Sequence, residues 1–386
     1  MSQRRIRAVY MRGGTSRCLV FHSRDLPPAG PERDRLLCAA LGSPDPYGRQ
    51  LDGLGGGISS LSKACIIAPA SRADADVDYT FAQVEVGTPV VDYAGNCGNC
   101  SSSVGPFAVD EGLVKLSARD FTGEVAVRIH NTNTKKLIVA RFEVLGGEAA
   151  VEGDFELAGV AGRGARIALD FLDPGGAGTG RLLPTGAARE LVGGGEVSLV
   201  DATNPLVFVR AKDLGLAGTE TPQAVDADRA LAARLEAIRV EAGRRIGLTG
   251  SAAVPKIALV APPAAFTALD GAHHAADRVD LVARVISMGN CHRAFALTAA
   301  MCLAVAARVD GTVVHECARG GTRADGGPPS VEAGPADPAT TIRLGHPSGV
   351  LPIAARVGRR DGAPWAESVT VYRTARRLME GWVRVP

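Results

Sequence analysis

Two stretches of this chain carry the same order of short motifs at nearly the same spacing, which constrains the fold more than any single segment does. Ser62-Lys63-Ala-Cys-Ile-Ile-Ala-Pro69 is followed by Gly95-Asn96-Cys97, a short apolar run and Gly112-Leu-Val. Pro255-Lys256-Ile-Ala-Leu-Val-Ala-Pro262 is followed by Gly289-Asn290-Cys291, an apolar run and Gly311-Thr-Val-Val. The interval from Lys63 to Cys97 is 34 residues, and from Lys256 to Cys291 it is 35. Repeated order at a fixed period marks duplicated architecture. It predicts two similar α+β halves, each wrapping strands around a buried central helix, with the active site in the cleft between them. A length of 386 residues agrees, since one domain usually takes ~100–200. The boundary is expected near Gly193-Gly-Gly195, giving an N-terminal lobe over 1–190 and a C-terminal lobe over 191–369.

Short, β-branched runs bounded by Gly, Pro, Asp or Asn predict most of the structure. Arg7 to Phe21 alternates around a Gly13-Gly14 turn. Cys65 to Ala68, Gln83 to Val91, Val125 to Ile129, Leu137 to Val144, Ile167 to Leu172, Val197 to Val200 and Leu206 to Val209 also read as strands. Helices are expected at Pro31 to Leu41, Cys100 to Asp110, Asp226 to Ile246 and His292 to Arg308. Arg319 to Ala339, rich in Gly, Pro, Asp and Ala, reads as a surface loop.

Composition narrows the function. Net charge is +2, and aromatics are 4%, so neither a basic field nor stacking faces call for nucleic acid. The longest nearly apolar stretch, Ala294 to Ala307, is 14 residues, short of the ~20 that span a bilayer. The N-terminus shows no signal peptide, and eight cysteines without one suggest reduced thiols in the cytoplasm. Glycine is unusually frequent, 47 of 386, and clusters at turns where backbone could approach a ligand.

The strongest local feature is Gly95-Asn96-Cys97-Gly98-Asn99-Cys100-Ser-Ser-Ser103, which enters a helix. Helix-start N–H groups hold carboxylates and oxyanions, and a thiol there has a lowered pKa. Cys97 is thus a candidate acid, base or nucleophile; a small buried thiol at a tight turn fits the same residues. Cys97-x-x-Cys100 also has redox or metal-ligand spacing. A zinc site uses about four ligands, however, and there is neither a second C-x-x-C nor an H-x3-H, so no metal is expected. Lys63 heads an apolar strand after the glycine-rich Gly53 to Gly57. Desolvated, it could act as a general base; with its amine in solvent it would be structural. Met11-Arg-Gly-Gly-Thr-Ser-Arg17 suits a carboxylate or phosphate, or forms a polar hairpin. Ser287-Met-Gly-Asn-Cys-His292-Arg293 and Gly345-His346-Pro-Ser-Gly349 are further polar turns. No G-x-G-x-x-G in a βαβ setting points to a nucleotide cofactor. Read from its residues, the chain suits proton transfer beside a carboxylate-bearing carbon.

Longer strings carry a resemblance. MRGGTSR (11–17), GSPDPYGRQLDGLGGGISSLSK (42–63), VDYAGNCGNCSSSVGPFAVDEGLV (91–114), LDFLDPGG (169–176), LLPTG (182–186), DATNP (201–205), SMGNCHRA (287–294), GHPSG (345–349) and ARRLMEGWVRVP (375–386) closely resemble the PrpF family of methylaconitate and oxalomesaconate isomerases. They run in family order along the whole chain. The resemblance implies a diaminopimelate epimerase-like fold, two lobes each with a barrel-like sheet around a helix, and a C-terminal segment of about 370–386 packing back on the first lobe. It implies an isomerase that moves a proton across an allylic C=C in an unsaturated di- or tricarboxylic acid, without metal or cofactor. Lys63 would be the general base and Cys97 an assisting acid or base. Thr15, Ser16, Arg17, Ser60, Asn96, Gly98, Asn99, Ser287, Met288, His292 and Ser348 would bind substrate. The expected partners are a small polycarboxylate and, at most, a second copy of the chain. The sequence departs from the usual pattern at Arg17-Cys18, where Lys-Gly is common, at Cys100, usually apolar, and at Asn290-Cys291. Three other readings remain: an epimerase or racemase with two facing thiols, Cys97 and Cys291; a non-catalytic carboxylate-binding protein; and a metal or redox protein built on Cys97 and Cys100.

Overall fold

The computed structural model describes residues 3–117, 121–318 and 340–386, so the loop expected at Arg319 to Ala339 lies outside the described residues. The chain divides into two compact units, one of Met1–Asp170 with Tyr372–Pro386 and the other of Phe171–Val371. The division comes before the expected boundary at 190. Residues 171–190 hydrogen-bond within the second unit: Gly176 N–H donates to Asp201 O and Asp201 N–H to Leu182 O.

In the first unit, strands Arg4–Gly13 and Ser16–His22 form an antiparallel hairpin with Gly13 opposite Ser16. Gly14 makes the turn at φ +51°, a left-handed conformation that favours glycine. Lys63–Pro69 lies parallel to Ser16–His22 and antiparallel to Val77–Val84. Val77–Val84 lies parallel to Thr122–Asn131, whose antiparallel partner is Lys136–Leu145. Parallel neighbours need long crossovers, usually helical. Here they carry the helices Pro31–Leu41 and Gly98–Asp110. Ala375–Val385 joins the sheet antiparallel to Arg4–Gly13.

The Gly98–Asp110 helix is buried from Gly98 through Val109. Its small residues let strands approach closely: a Cβ at Gly105 would sit 2.7 Å from the Phe142 ring. The Pro31–Leu41 helix instead packs Leu36, Leu37 and Leu41 against Leu19, Phe21 and Ile66.

The second unit repeats the order of pairings. Gly195–Ala202 and Asn204–Arg210 are antiparallel, and Lys256–Ala261 lies parallel to the latter and antiparallel to Leu281–Ser287. Leu281–Ser287 lies parallel to Thr341–His346, which pairs antiparallel with Gly349–Arg360. The helix Leu297–Ala306 is wholly buried.

Three expected elements differ. The run Gln83 to Val91 is a hairpin: the strand is Val77–Val84, the chain turns through Thr88-Pro89, and Val91–Asp92 pairs back. Pro89 cannot donate to a ladder, and the alternation that makes the strand begins at Val77. The helix expected at Asp226 to Ile246 is two, Pro222–Ala227 and Arg229–Arg245. Asp228 begins the second, its carboxylate accepting from Leu231 N–H at 2.9 Å, as an N-cap does. The helix expected from His292 starts only at Leu297, because His292 N–H is held in a strand-like bond to Val285 O.

Candidate active site

Cys97 is the N-cap of the Gly98–Asp110 helix, with extended φ −114° and ψ 99°. Its Sγ accepts from Cys100 N–H at 3.5 Å, which satisfies one of the donors a helix start leaves without an intrahelical partner. The thiol is brought down to about 6 from its usual 9.0. Hydrogen bonding from the Cys100 thiol is the leading cause; burial opposes it, and the Lys63 charge and the Cys100 N–H add to it. A large share of Cys97 is therefore thiolate at neutral pH, at a place where helix N–H groups favour negative charge.

Lys63 begins the strand Lys63–Pro69 and is buried. The strand register sets it opposite Gln83, and its Nζ donates to Gln83 Oε1 at 2.5 Å. Gln83 Nε2 is itself anchored on Ser62 O at 2.9 Å and Ser59 O at 3.1 Å. The Phe81 ring lies 5.1 Å from Nζ, a cation–π contact that holds the amine in an apolar wall. Gln83 had no signal in the sequence, since its role depends on strand register.

The Arg4–Gly13/Ser16–His22 hairpin closes on the helix start. A Cβ built on Gly13 would meet Asn99 O at 2.6 Å, and one on Gly14 would press still closer on Asn99 Oδ1, so only glycine permits this approach. Asn99 Nδ2 donates to Thr15 Oγ1 at 3.1 Å. Asn99 Oδ1 accepts from Arg373 Nε at 3.0 Å. Asn96 Oδ1 accepts from Asn131 Nδ2 at 3.2 Å. Ser16 is buried, and Arg17 N–H donates to Ser60 O at 3.0 Å. The Arg17 guanidinium stacks over Tyr10 at 5.5 Å. The first unit thus gathers Thr15, Asn96, Cys97, Gly98 and Asn99 around one helix start, with Lys63 near enough for its charge to act on Cys97.

Arg373 was not foreseen. It is buried, its Nη1 donates to Tyr372 O at 2.7 Å, and burial pushes its guanidinium down to about 9, against the opposing pull of Cys97. At neutral pH it still places a positive charge behind the helix start.

Two further thiols lie behind Cys97. The sulfurs of Cys18, Cys65 and Cys100 are within 4.8 Å of one another, and all three residues are fully buried. Cys18 Sγ is 3.8 Å from Ser103 Oγ, and Cys65 Sγ is 3.9 Å from Tyr79 Oη. Three sulfurs are one short of the four donors that close a structural zinc site.

In the second unit, Ser287 ends the strand Leu281–Ser287 opposite Asn290, and Met288 opens the turn to Asn290–Cys291 at φ +54°. His292 follows, its Nδ1 accepting from Ala294 N–H at 3.1 Å. Ser348 Oγ donates to Arg293 O at 2.7 Å, so the hydroxyl ties its own turn to the segment after His292. Cys291 does not share the setting of Cys97. It sits in a strand ahead of the helix, its N–H donates to Asp226 Oδ1 at 2.6 Å, and burial pushes its thiol up to about 12. Lys256, in the place of Lys63, donates from Nζ to the Ala253 carbonyl at 2.5 Å. Two equivalent acid–base thiols are therefore not what the duplicated motif produces. Among the described residues, no helix is long and apolar enough to cross a membrane.

Comparison with known proteins agrees with this architecture. The PrpF protein family profile matches residues 3–386. A 3-methylitaconate isomerase of Eubacterium barkeri is 42% identical over 99% of this chain and 98% of its own length. A 2-methyl-aconitate isomerase of Shewanella oneidensis is 38% identical over 100% and 98%. The crystal structure of a methylitaconate-delta-isomerase superimposes with a TM-score of 0.76 at 41% identity, covering 100% of this chain and 96% of that one. A hydroxyproline epimerase of Agrobacterium vitis, 13% identical, superimposes with a TM-score of 0.53 over 99% and 93%, a likeness of fold alone. The fold is the diaminopimelate epimerase-like one that the motifs implied.

Proposed function

The chain belongs to the PrpF family, and on that premise we propose that it is an isomerase moving a proton across an allylic C=C of a compact unsaturated di- or tricarboxylic acid, of the kind represented by 2-methylaconitate, aconitate or 4-oxalomesaconate. Its relatives' names supply the substrate class. The observation that carries the mechanism is the pairing of a buried Lys63, fixed by Gln83, with a helix-capping Cys97 whose thiol is lowered to about 6.

Such a pair suits a 1,3-proton transfer. The carbon between a carboxylate and a double bond is acidic because its conjugate base spreads charge over a dienolate. Lys63, in its neutral form, takes that proton through the amine lone pair while Gln83 Oε1 holds one of its N–H groups, and becomes the ammonium whose charge favours the Cys97 thiolate. The dienolate's charge is held by the N–H groups at the start of the Gly98–Asp110 helix, with the Arg373 guanidinium behind them. Cys97 exchanges the second proton at the far end of the three-carbon unit. Microscopic reversibility gives each group the opposite role in the reverse direction, so the thiolate form of Cys97 is the base when the reaction starts from that end. Thr15, Asn96 and Asn99 would receive a carboxylate beside the helix start, and Arg17 and Ser60 would contact the same ligand. Ser287, Met288, His292 and Ser348 remain proposed contacts for a further carboxylate.

The test is an NMR screen of unsaturated polycarboxylates in D2O, following deuterium uptake and double-bond position. Lys63→Met is expected to abolish both with an unchanged circular dichroism spectrum. Near-normal turnover in that variant overturns the assignment of Lys63. Cys97→Ser with unchanged rate and stereochemistry removes the thiol from the reaction.

A further inference from the structure

We propose that Cys97 and Cys100 are a peroxide-sensitive dithiol whose reversible oxidation to a disulfide switches the first-unit site off. Nothing in an isomerase requires the second thiol. Cys100 occupies the third helical position after the Cys97 cap. Its N–H donates to Cys97 Sγ at 3.5 Å.

The two residues are unequal in the way a dithiol couple needs. Cys97 is 9% exposed and Cys100 0%, so a small oxidant meets Cys97 first. Cys97 is the thiolate-rich partner, and the thiolate is the nucleophile. Burial raises the Cys100 thiol, which keeps it protonated in reserve. The geometry needs only local movement. Capping already brings the Cys97 sulfur within 3.5 Å of the Cys100 backbone N, and a disulfide needs Cβ atoms ~3.5–4.5 Å apart. Cys97 is the non-helical cap, so its dihedrals can supply that change without unwinding the helix. The sulfurs of Cys18 and Cys65 lie within 4.8 Å of Cys100, which makes them rival partners for Cys100.

The chemistry balances with one peroxide. The Cys97 thiolate attacks a peroxide oxygen, the O–O bond breaks, and Cys97 sulfenic acid and hydroxide form. The Cys100 sulfur then attacks the Cys97 sulfur. The S–S bond forms, the S–OH bond breaks, and the thiol proton leaves with hydroxide as water. Two thiols are oxidised, one peroxide is reduced to two waters, and a dithiol reductant reverses the change. Loss of activity on oxidation rests on the proposed isomerase role of Cys97; formation of the disulfide does not.

The experiment uses the full chain, reduced and desalted, then treated with hydrogen peroxide. Intact mass spectrometry is expected to show loss of two hydrogens, and peptide mapping a Cys97–Cys100 bridge, with both reversed by dithiothreitol. Isomerase activity should disappear and return in step with the bridge. In Cys100→Ser, which keeps a hydroxyl donor beside Cys97 but cannot form the bridge, peroxide is expected to add oxygen at Cys97 beyond the reach of dithiothreitol. A bridge that excludes Cys97, or persistence of both thiols while Cys97 of Cys100→Ser oxidises, overturns the proposal. If no isomerase activity is found, mass and mapping still decide it.

Discussion

Gln83→Leu tests the idea that Lys63 is held in place rather than merely buried. The change keeps the approximate volume but deletes the Oε1 acceptor 2.5 Å from Lys63 Nζ. It also deletes the Nε2 donor that meets the Ser62 and Ser59 carbonyls. A hydrogen bond to a charged group contributes ~1.5–3 kcal/mol. For a unit of this size each kcal/mol moves the melting temperature by ~2–4 °C, so a fall of ~3–12 °C is expected by differential scanning calorimetry. Catalysis should suffer more than stability, because a released amine no longer meets the reacting carbon at a fixed angle, and misplacement by ~1 Å can cost ~10²-fold. The loss should fall on kcat, with KM changing less, because Gln83 positions the base and does not itself bind substrate. Gln83→Glu retains an acceptor for Lys63 but sets its second oxygen against the Ser62 and Ser59 carbonyls, so it should recover only part of the melting temperature. Wild-type melting together with wild-type kcat in Gln83→Leu would refute the reasoning.

Two other perturbations probe the helix start. Gly13→Ala places a Cβ 2.6 Å from Asn99 O and 3.2 Å from the Cys100 Cα. Both are backbone atoms, so hairpin or helix must shift at ~1–3 kcal/mol, lowering both melting temperature and kcat/KM; Gly87→Ala, with nothing within 4 Å, should change neither. Alkylation of Cys97 by iodoacetamide, followed by peptide mass spectrometry, should rise through a midpoint at about 6 instead of 9.0. Since the native thiol is depressed relative to the unfolded one, the unfolded chain binds more protons between these values. Stability should therefore increase as pH rises from about 6 toward 9.0 and lose that contribution as pH falls through 6; Cys97→Ala should flatten this slope.

Much of the fold was legible because the duplicated motif reports topology. Lys63–Pro69 and Lys256–Ala261 each lie parallel to one strand and antiparallel to the next, as two copies of one plan require. The same motif misleads at Cys291, which shares local sequence with Cys97 but has neither its helix cap nor the neighbouring Cys100 thiol and Lys63 charge that lower Cys97. Lys63, Cys97 and the glycine turns could be read from local chemistry. Gln83 could not, because it faces Lys63 through cross-strand register. Arg373 reaches Asn99 across 274 positions of sequence, and Cys18, Cys65 and Cys100 converge from two strands and a helix. Such contacts depend on how distant segments return to one another.

The strand Ala375–Val385 has a consequence for how the protein is made. It is the edge partner of Arg4–Gly13, yet the entire second unit precedes it in the chain. At ~5–20 residues per second of synthesis, the ribosome needs ~20–70 s to pass from the first hairpin to this strand. For that time the nascent first unit presents an open backbone edge able to pair with a neighbouring chain, while the second unit already has all of its residues. Folding order is thereby inverted relative to synthesis order. The unit begun first is finished last.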